Sequence, residues 1–307
     1  MFGTVNTLEL TVGASSAVTR QESSHACGST IYAMGPLAVV VTIAAAVCVV
    51  AWVLSLVTHD HSWVDRFWSI VPVAYVWVFA LSAGLDDARL TVMAVLVTLW
   101  GARLTFNFAR KGGYTGTEDY RWAVLRGRMR RWQFGFFNLF FIVLYQNTVL
   151  VLLALPALTA WQHRGTPFGA VDGLLAAVFV ALLVGETVAD EQQWRFHAWK
   201  RARGAAGPRF LQTGLWRLSR HPNFFFEQAQ WWVFFLIGAS AAGSLLQWTV
   251  LGPLLLTLLF VGSTIFTESI TRGKYPEYAE YQATTSAIVP WWPRRRRVAP
   301  PAPATDV

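Results

Sequence analysis

Long apolar runs constrain this chain more than any other feature. The first, Gly35 to Val57, is about 23 residues without a charge. At 1.5 Å per residue that is enough helix to cross the roughly 30 Å of hydrocarbon in a bilayer, and it is too long for the core of a signal peptide. Further runs follow at Phe67 to Leu85, Leu90 to Phe108, Phe134 to Leu158, Val171 to Val188, Phe224 to Ala242 and Trp248 to Thr267. In hydrocarbon every backbone N–H and C=O must find its partner within the protein, which leaves helices or a closed barrel. The runs lack the period-two alternation of barrel strands. The sequence therefore predicts an all-α fold, a polytopic membrane bundle of about seven transmembrane helices. Composition agrees, with 54% hydrophobic residues and only 14% charged, where a water-facing domain carries about a quarter charged.

The membrane domain is expected over residues 34–293. Residues 1–33, with Ser15, Ser16, Ser23 and Ser24 and no continuous apolar segment, read as a disordered polar tail. Residues 294–307 form a basic, Pro/Ala-rich C-terminal tail. The two cysteines, Cys27 and Cys48, support neither a disulfide framework nor a thiolate metal site. His59 and His61 lack the spacing of a zinc helix, so no metal is expected.

The net charge of +8 is carried by short segments between the apolar runs. Anionic headgroups or a phosphorylated cofactor suit such segments, and nucleic acid is not expected without a basic domain outside the membrane. Basic residues crowd Ala109 to Trp132, Asp190 to Asn223 and Arg294 to Arg297, whereas the connections around Asp86, His163 and Gly243 hold one or none. The positive-inside rule then predicts a multi-pass protein with the three basic regions and the active site in the cytoplasm and the N-terminus outside or lumenal. The membrane would be the endoplasmic reticulum in a eukaryote and the inner membrane in a bacterium.

Three polar groups stand out. In PRFLQTGLWRLSRHPNFFFE, Pro208 to Glu227, the residues Arg209, Arg220, His221, Asn223 and Glu227 precede or enter an apolar run. Asn223 and Glu227, four apart, share a helix face. An ionisable group in a span is costly unless it meets a partner or a wet cavity. Glu227 therefore reads either as the wall of a ligand pocket or as an interfacial anchor paired with Arg220. The second group, ARKGGYTGTEDYRW, joins Arg110, Lys111 and Gly112-Gly113 with the acidic candidates Glu118 and Asp119. Glycines beside cations suit a phosphate, and a solvated basic loop is the plainer reading. The third is a set of ionisable residues within or beside spans, Asp65, Arg66, Arg103, Glu186, Asp190 and Glu268, together with Asn107; so many suggest a polar cavity opening to the basic side.

The segment GLWRLSRHPNFFFE, with ADEQ at Ala189 to Gln192, WGARLTFNFARKGG, EDYRW and KYPEYAEYQATTSAIVPWWP, resembles the membrane family containing the steroid 5-alpha reductases, especially its DUF1295 branch. The resemblance covers roughly Ser62 to Pro293. It implies a seven-helix enzyme that binds NADPH from the cytoplasmic side and reduces a carbon–carbon double bond conjugated to a ketone. It further implies a cofactor site at Asp190, Arg209, Arg220, His221, Asn223, Glu227, Tyr278 and Tyr281 and a catalytic Asp65; from the polar clusters themselves, Arg103 and Arg110 are added to the expected cofactor site and Glu118 and Asp119 to the catalytic candidates. Asp65 matches an acidic position near the substrate carbonyl. Two departures bear on the substrate: Val64-Asp65 stands where the steroid reductases carry a Gln-Glu pair, and Trp100 replaces a tyrosine near the ketone.

The expected activity is thus an NAD(P)H-dependent oxidoreductase acting on a lipid-like enone of sterol or polyprenoid class, with substrate and bilayer as its partners. Two other readings remain open. One is a membrane S-adenosylmethionine-dependent methyltransferase of the isoprenylcysteine or phospholipid type, which shares an RHP-containing loop and a following helix with a Glu. The other is a non-catalytic lipid-binding protein on the same fold.

Overall fold

A computed structural model describes residues 35–203 and 207–294. The expected polar N-terminal tail, and the C-terminal tail beyond Arg294, lie outside the described residues. The chain builds α1 (Pro36–Thr58), α2 (Trp63–Trp68), α3 (Val71–Ser82), α4 (Ala88–Arg110), α5 (Tyr120–Arg128) and α6 (Arg131–Phe137). A π-helical segment, Asn138–Tyr145, leads into α7 (Gln146–Ala154) and α8 (Pro156–Gln162). Then come α9 (Ala170–Arg203), α10 (Pro222–Ala242), α11 (Leu251–Lys274) and α12 (Tyr278–Thr284). No strand forms among the described residues; one isolated bridge pairs Ser219 with Ser286.

Six helical stretches are long and apolar enough to cross a membrane: Pro36–Thr58, Trp63–Ser82, Ala88–Arg110, Arg131–Gln162, Ala170–Arg203 and Trp248–Lys274. The seventh expected span coincides with α10, which has 21 residues and so the length. Glu227, Gln228 and Gln230 dilute its apolarity, and all three are buried in the bundle. A helix wrapped by other helices meets protein rather than lipid, so it tolerates polar side chains that α1 could not. By contrast α1 and α9 turn Val41, Val49, Val53, Leu174, Val180 and Val184 outward, a surface suited to lipid tails.

The larger of two apolar clusters holds Tyr75, Phe79, Trp100, Phe179, Trp231 and Phe234, all fully buried, and a smaller one joins Ala51, Val64, Trp122, Ile142 and Val143. Close approach replaces the hydrophobic drive that lipid removes. Gly238 of α10 packs on the Pro156 carbonyl and Gly252 of α11 on the Leu152 carbonyl, where any Cβ would collide with backbone. Helices α4 and α9 run parallel and are tied along their length. Arg89 chelates Asp172 with two 2.9 Å bonds at one end, and Arg110 meets Glu191 at 2.7 Å at the other.

Candidate functional site

A cavity of about 500 Å³ opens between α2, α5, the π-helical segment, α7, the start of α10 and α11. Its walls are aromatic: Trp68, Trp122, Phe137, Phe141, Phe224 and Phe266. The π segment lies in the middle of a span, and such segments recur at functional sites because they turn side chains out of normal helical register. Here Phe137, Phe141 and Tyr145 form a stacked ladder with centroid separations of 4.8 and 5.4 Å.

Asp65, in the first turn of α2, is the acid of this cavity. The Trp122 indole N–H donates to its Oδ2 at 3.2 Å. Arg121 also lines the cavity, but its guanidinium is committed to Asp119 at 2.7 and 3.0 Å and to the Ser263 hydroxyl at 2.8 Å. Asp119 in turn caps α5 by accepting from the Arg121 backbone N–H. Asp65 therefore faces aromatic rings with a neutral donor as its partner rather than an ion pair. Glu118 lies outside the cavity lining. It accepts from the His61 backbone N–H at 3.1 Å and from Arg126 at 2.5 Å, stapling the α1–α2 turn to α5. Burial opposes its charge, yet the bonds from His61 and Arg126 prevail and hold its pKa below the usual carboxylate value.

A second polar centre runs through the bundle. Arg103 on α4 reaches Glu186 at 2.5 Å and also pairs with Asp190, both on α9. Asn107 donates to Asp190 at 2.6 Å, and Gln230 of α10 donates to Glu186 at 2.6 Å. Glu227 receives the indole N–H groups of Trp100 at 3.0 Å and Trp231 at 3.1 Å. The anchor reading of Glu227 is thereby corrected: Arg220 is not its partner. Arg220 instead chelates Glu268 of α11 at 2.6 and 2.9 Å.

That pair belongs to a third centre, where His221, Tyr278 and Gln282 also converge on Glu268 at 3.1, 3.2 and 2.9 Å. The backbone N–H groups of Arg220 and His221 bond the carbonyls of Ser286 and Ala287, and the Tyr281 hydroxyl donates to the Trp216 carbonyl. Phe210 stacks on Tyr281. The Arg-His-Pro-Asn turn is thus clamped to the C-terminal helix.

Of the expected site residues, the structure brings Arg103, Arg110, Asp190 and Glu227 into the α4–α9–α10 network. It gathers Arg220, His221, Tyr278 and Tyr281 at the clamp, and Asp65 into the aromatic cavity. Asn223 sits in the first turn of α10 beside Phe224, with its Oδ1 buried and without a hydrogen bond. The Arg209 side chain is exposed. The Gly112-Gly113 turn folds back on the Phe108 ring, and the Gly113 carbonyl accepts from Arg66. Sequence reasoning missed Gln146 and Tyr145, which line the cavity. The adjacent amides Gln146-Asn147 within an apolar run were the available signal.

The chain is 40% identical over 262 residues to the uncharacterized protein C594.04c of Schizosaccharomyces pombe, covering 78% of this chain and 76% of that protein. No solved structure matches it. The model of the family described as a protein of unknown function, DUF1295, matches residues 51–285, which include the cavity, the buried network and most of the clamp. This chain belongs to the DUF1295 family.

Proposed function

We propose that this protein is a membrane NAD(P)H-dependent reductase that delivers hydride to the β-carbon of a lipid-like enone. The observation that carries the reading is the pairing of an unsalted acid, Asp65, with an aromatic-walled slot of about 500 Å³ inside a membrane bundle. A slot of that size and lining suits an apolar body of lipid size. Hydride addition to an enone builds negative charge on the carbonyl oxygen, and a hydrogen-bond donor fixed in a dry site stabilises it. Asp65 in its acid form is that donor, with Trp122 fixing the carboxyl's orientation. The α-carbon then takes a proton drawn from solvent water as the carbonyl re-forms, so the double bond is reduced by one hydride and one proton and Asp65 keeps its own.

NADPH supplies the hydride when bound. Polar atoms suited to hold it are Asn223 Oδ1 and Gln193 Oε1, both buried without hydrogen bonds, on the α10 and α9 ends that carry the basic segments. Arg201, Arg203 and Arg209 are exposed cations near the end of α9 and after it, suited to phosphate oxygens. Arg103 and Arg110 already neutralise α9 carboxylates, so in this reading they position the helices that flank the cofactor. We further propose that the basic connections, and the mouth of the site, face the cytoplasm.

The test is binding of NADPH, with NADH and S-adenosylmethionine as competitors, to protein purified in lipid nanodiscs. Saturable NADPH binding that Asn223→Ala weakens at least ten-fold supports the reading. Binding of S-adenosylmethionine alone would move the protein to the methyltransferases, and binding of neither by folded protein would favour a non-catalytic lipid-binding role.

A further inference from the structure

The cavity contains a polar group that hydride transfer to an enone does not use. Gln146 is 4% exposed, stands near the middle of the 131–162 span, and lines the cavity. Its side-chain amide has no hydrogen-bond partner among the described residues. Other amides in the bundle are held by the protein through their nitrogens, with their oxygens buried and unpaired: Asn147 donates to the Val143 carbonyl at 2.7 Å, Asn138 to Ser55 at 2.9 Å and Gln230 to Glu186 at 2.6 Å. The Gln146 amide opens into the cavity instead of being sealed in the protein, and at bilayer depth an amide without a partner is costly, so a ligand group that completes the bond is favoured there.

The aromatic ladder gives its position relative to Asp65. Trp122, which bonds Asp65, lies 6.2 Å from Phe137, and Phe141 and Tyr145 follow along the wall to Gln146. Apart from the mutually bonded Arg121 and Ser263, the rest of the lining is aromatic and aliphatic.

We infer that Gln146 is a specificity-determining residue. It hydrogen-bonds a hydroxyl or carbonyl of the lipid other than the enone carbonyl that meets Asp65. The ligand is then an apolar body with a second polar group besides the enone, rather than a hydrocarbon tail with one. The identity of the Asp65 end rests on the reductase reading; the demand for a second polar group rests on Gln146 itself.

The experiment uses two probes, an octyl-substituted cyclohexenone and its ω-hydroxyoctyl counterpart, titrated by calorimetry into the full-length protein in nanodiscs. The hydroxylated probe should bind about ten-fold tighter, the effect of one buried hydrogen bond. Gln146→Leu and the more isosteric Gln146→Met should each erase that preference while leaving the plain octyl probe's affinity unchanged or improved. Equal binding of the two probes to the native protein, or a preference that survives in both variants, overturns the assignment. NADPH oxidation is followed in the same samples. A Gln146-dependent preference without oxidation defeats the reductase reading and keeps the specificity residue, and no binding of either probe by folded protein overturns both.

Discussion

The charge network between α4, α9 and α10 and the cavity around Asp65 both place polar side chains inside membrane spans, and they treat them in opposite ways. In the network Arg103 answers Glu186 and Asp190, Asn107 and Gln230 add donors, and Glu227 receives two indoles. In the cavity Asp65 meets only neutral donors, the Trp122 indole and the Ser62 hydroxyl, and Gln146 has no side-chain partner among the described residues. A buried charge that is paired and hydrogen-bonded holds helices in register, whereas one left short of partners has its complement still to come. In the proposed reading, the contrast separates what organises this bundle from what serves a ligand.

That separation predicts unequal responses to substitution. Asp65→Asn keeps shape and removes the acid. It should lower enone reduction by at least a hundred-fold, in the range of general-acid effects, while thermal unfolding in detergent shifts little. A large loss of stability there would make Asp65 a structural residue. Arg103→Ala should do the reverse, leaving Glu186 and Asp190 facing each other and costing about 3–5 kcal/mol, read as a fall in unfolding temperature and in yield of folded protein. If instead it folds normally and loses only cofactor affinity, the network is part of the binding site. Trp122→Phe removes the donor to Asp65 and keeps most of the ring; a drop in turnover of roughly ten-fold, with lipid affinity retained, is expected from the loss of one hydrogen bond.

The smallest effect is assigned to Glu118. Its pKa is depressed, so the stability it contributes is present above its unfolded value of about 4.3 and is lost as pH falls through the lower folded value. Glu118→Gln should therefore change activity little and flatten the stability profile on the acid side. A pronounced loss of turnover at neutral pH would return Glu118 to the catalytic candidates.

Much of the bundle was legible because spans are written in continuous apolar runs. The polar helix α10 was found as well, since Phe224 to Ala242 stays apolar around its few amides and its Glu. The π-helical turn at Asn138–Tyr145 was not, because backbone register is decided by packing against α1 and α7 and leaves no mark on composition. The site was legible in its members more than in its partnerships. Asp65 and Glu227 were singled out as ionisable groups in spans, but the indoles of Trp122 and Trp100 that bond them lie 57 and 127 residues away in sequence, and such pairings exist only once the helices pack; only Trp231, four residues on from Glu227, was a local partner. The arginines illustrate the same limit. A cation in a loop reads as a phosphate ligand until the structure shows Arg220 closing on Glu268 and Arg110 on Glu191.

The central claim is that Asp65 and the aromatic cavity reduce a lipid enone at the expense of NADPH. Its most direct test is NADPH absorbance in nanodiscs holding the native protein or Asp65→Asn, with the octyl-substituted cyclohexenone as substrate and its saturated ketone measured alongside. The account predicts NADPH loss matched mole for mole by saturated ketone in the native protein and near-background rates in the variant. Equal rates in the two proteins, or bound probe with no NADPH consumed, would contradict it.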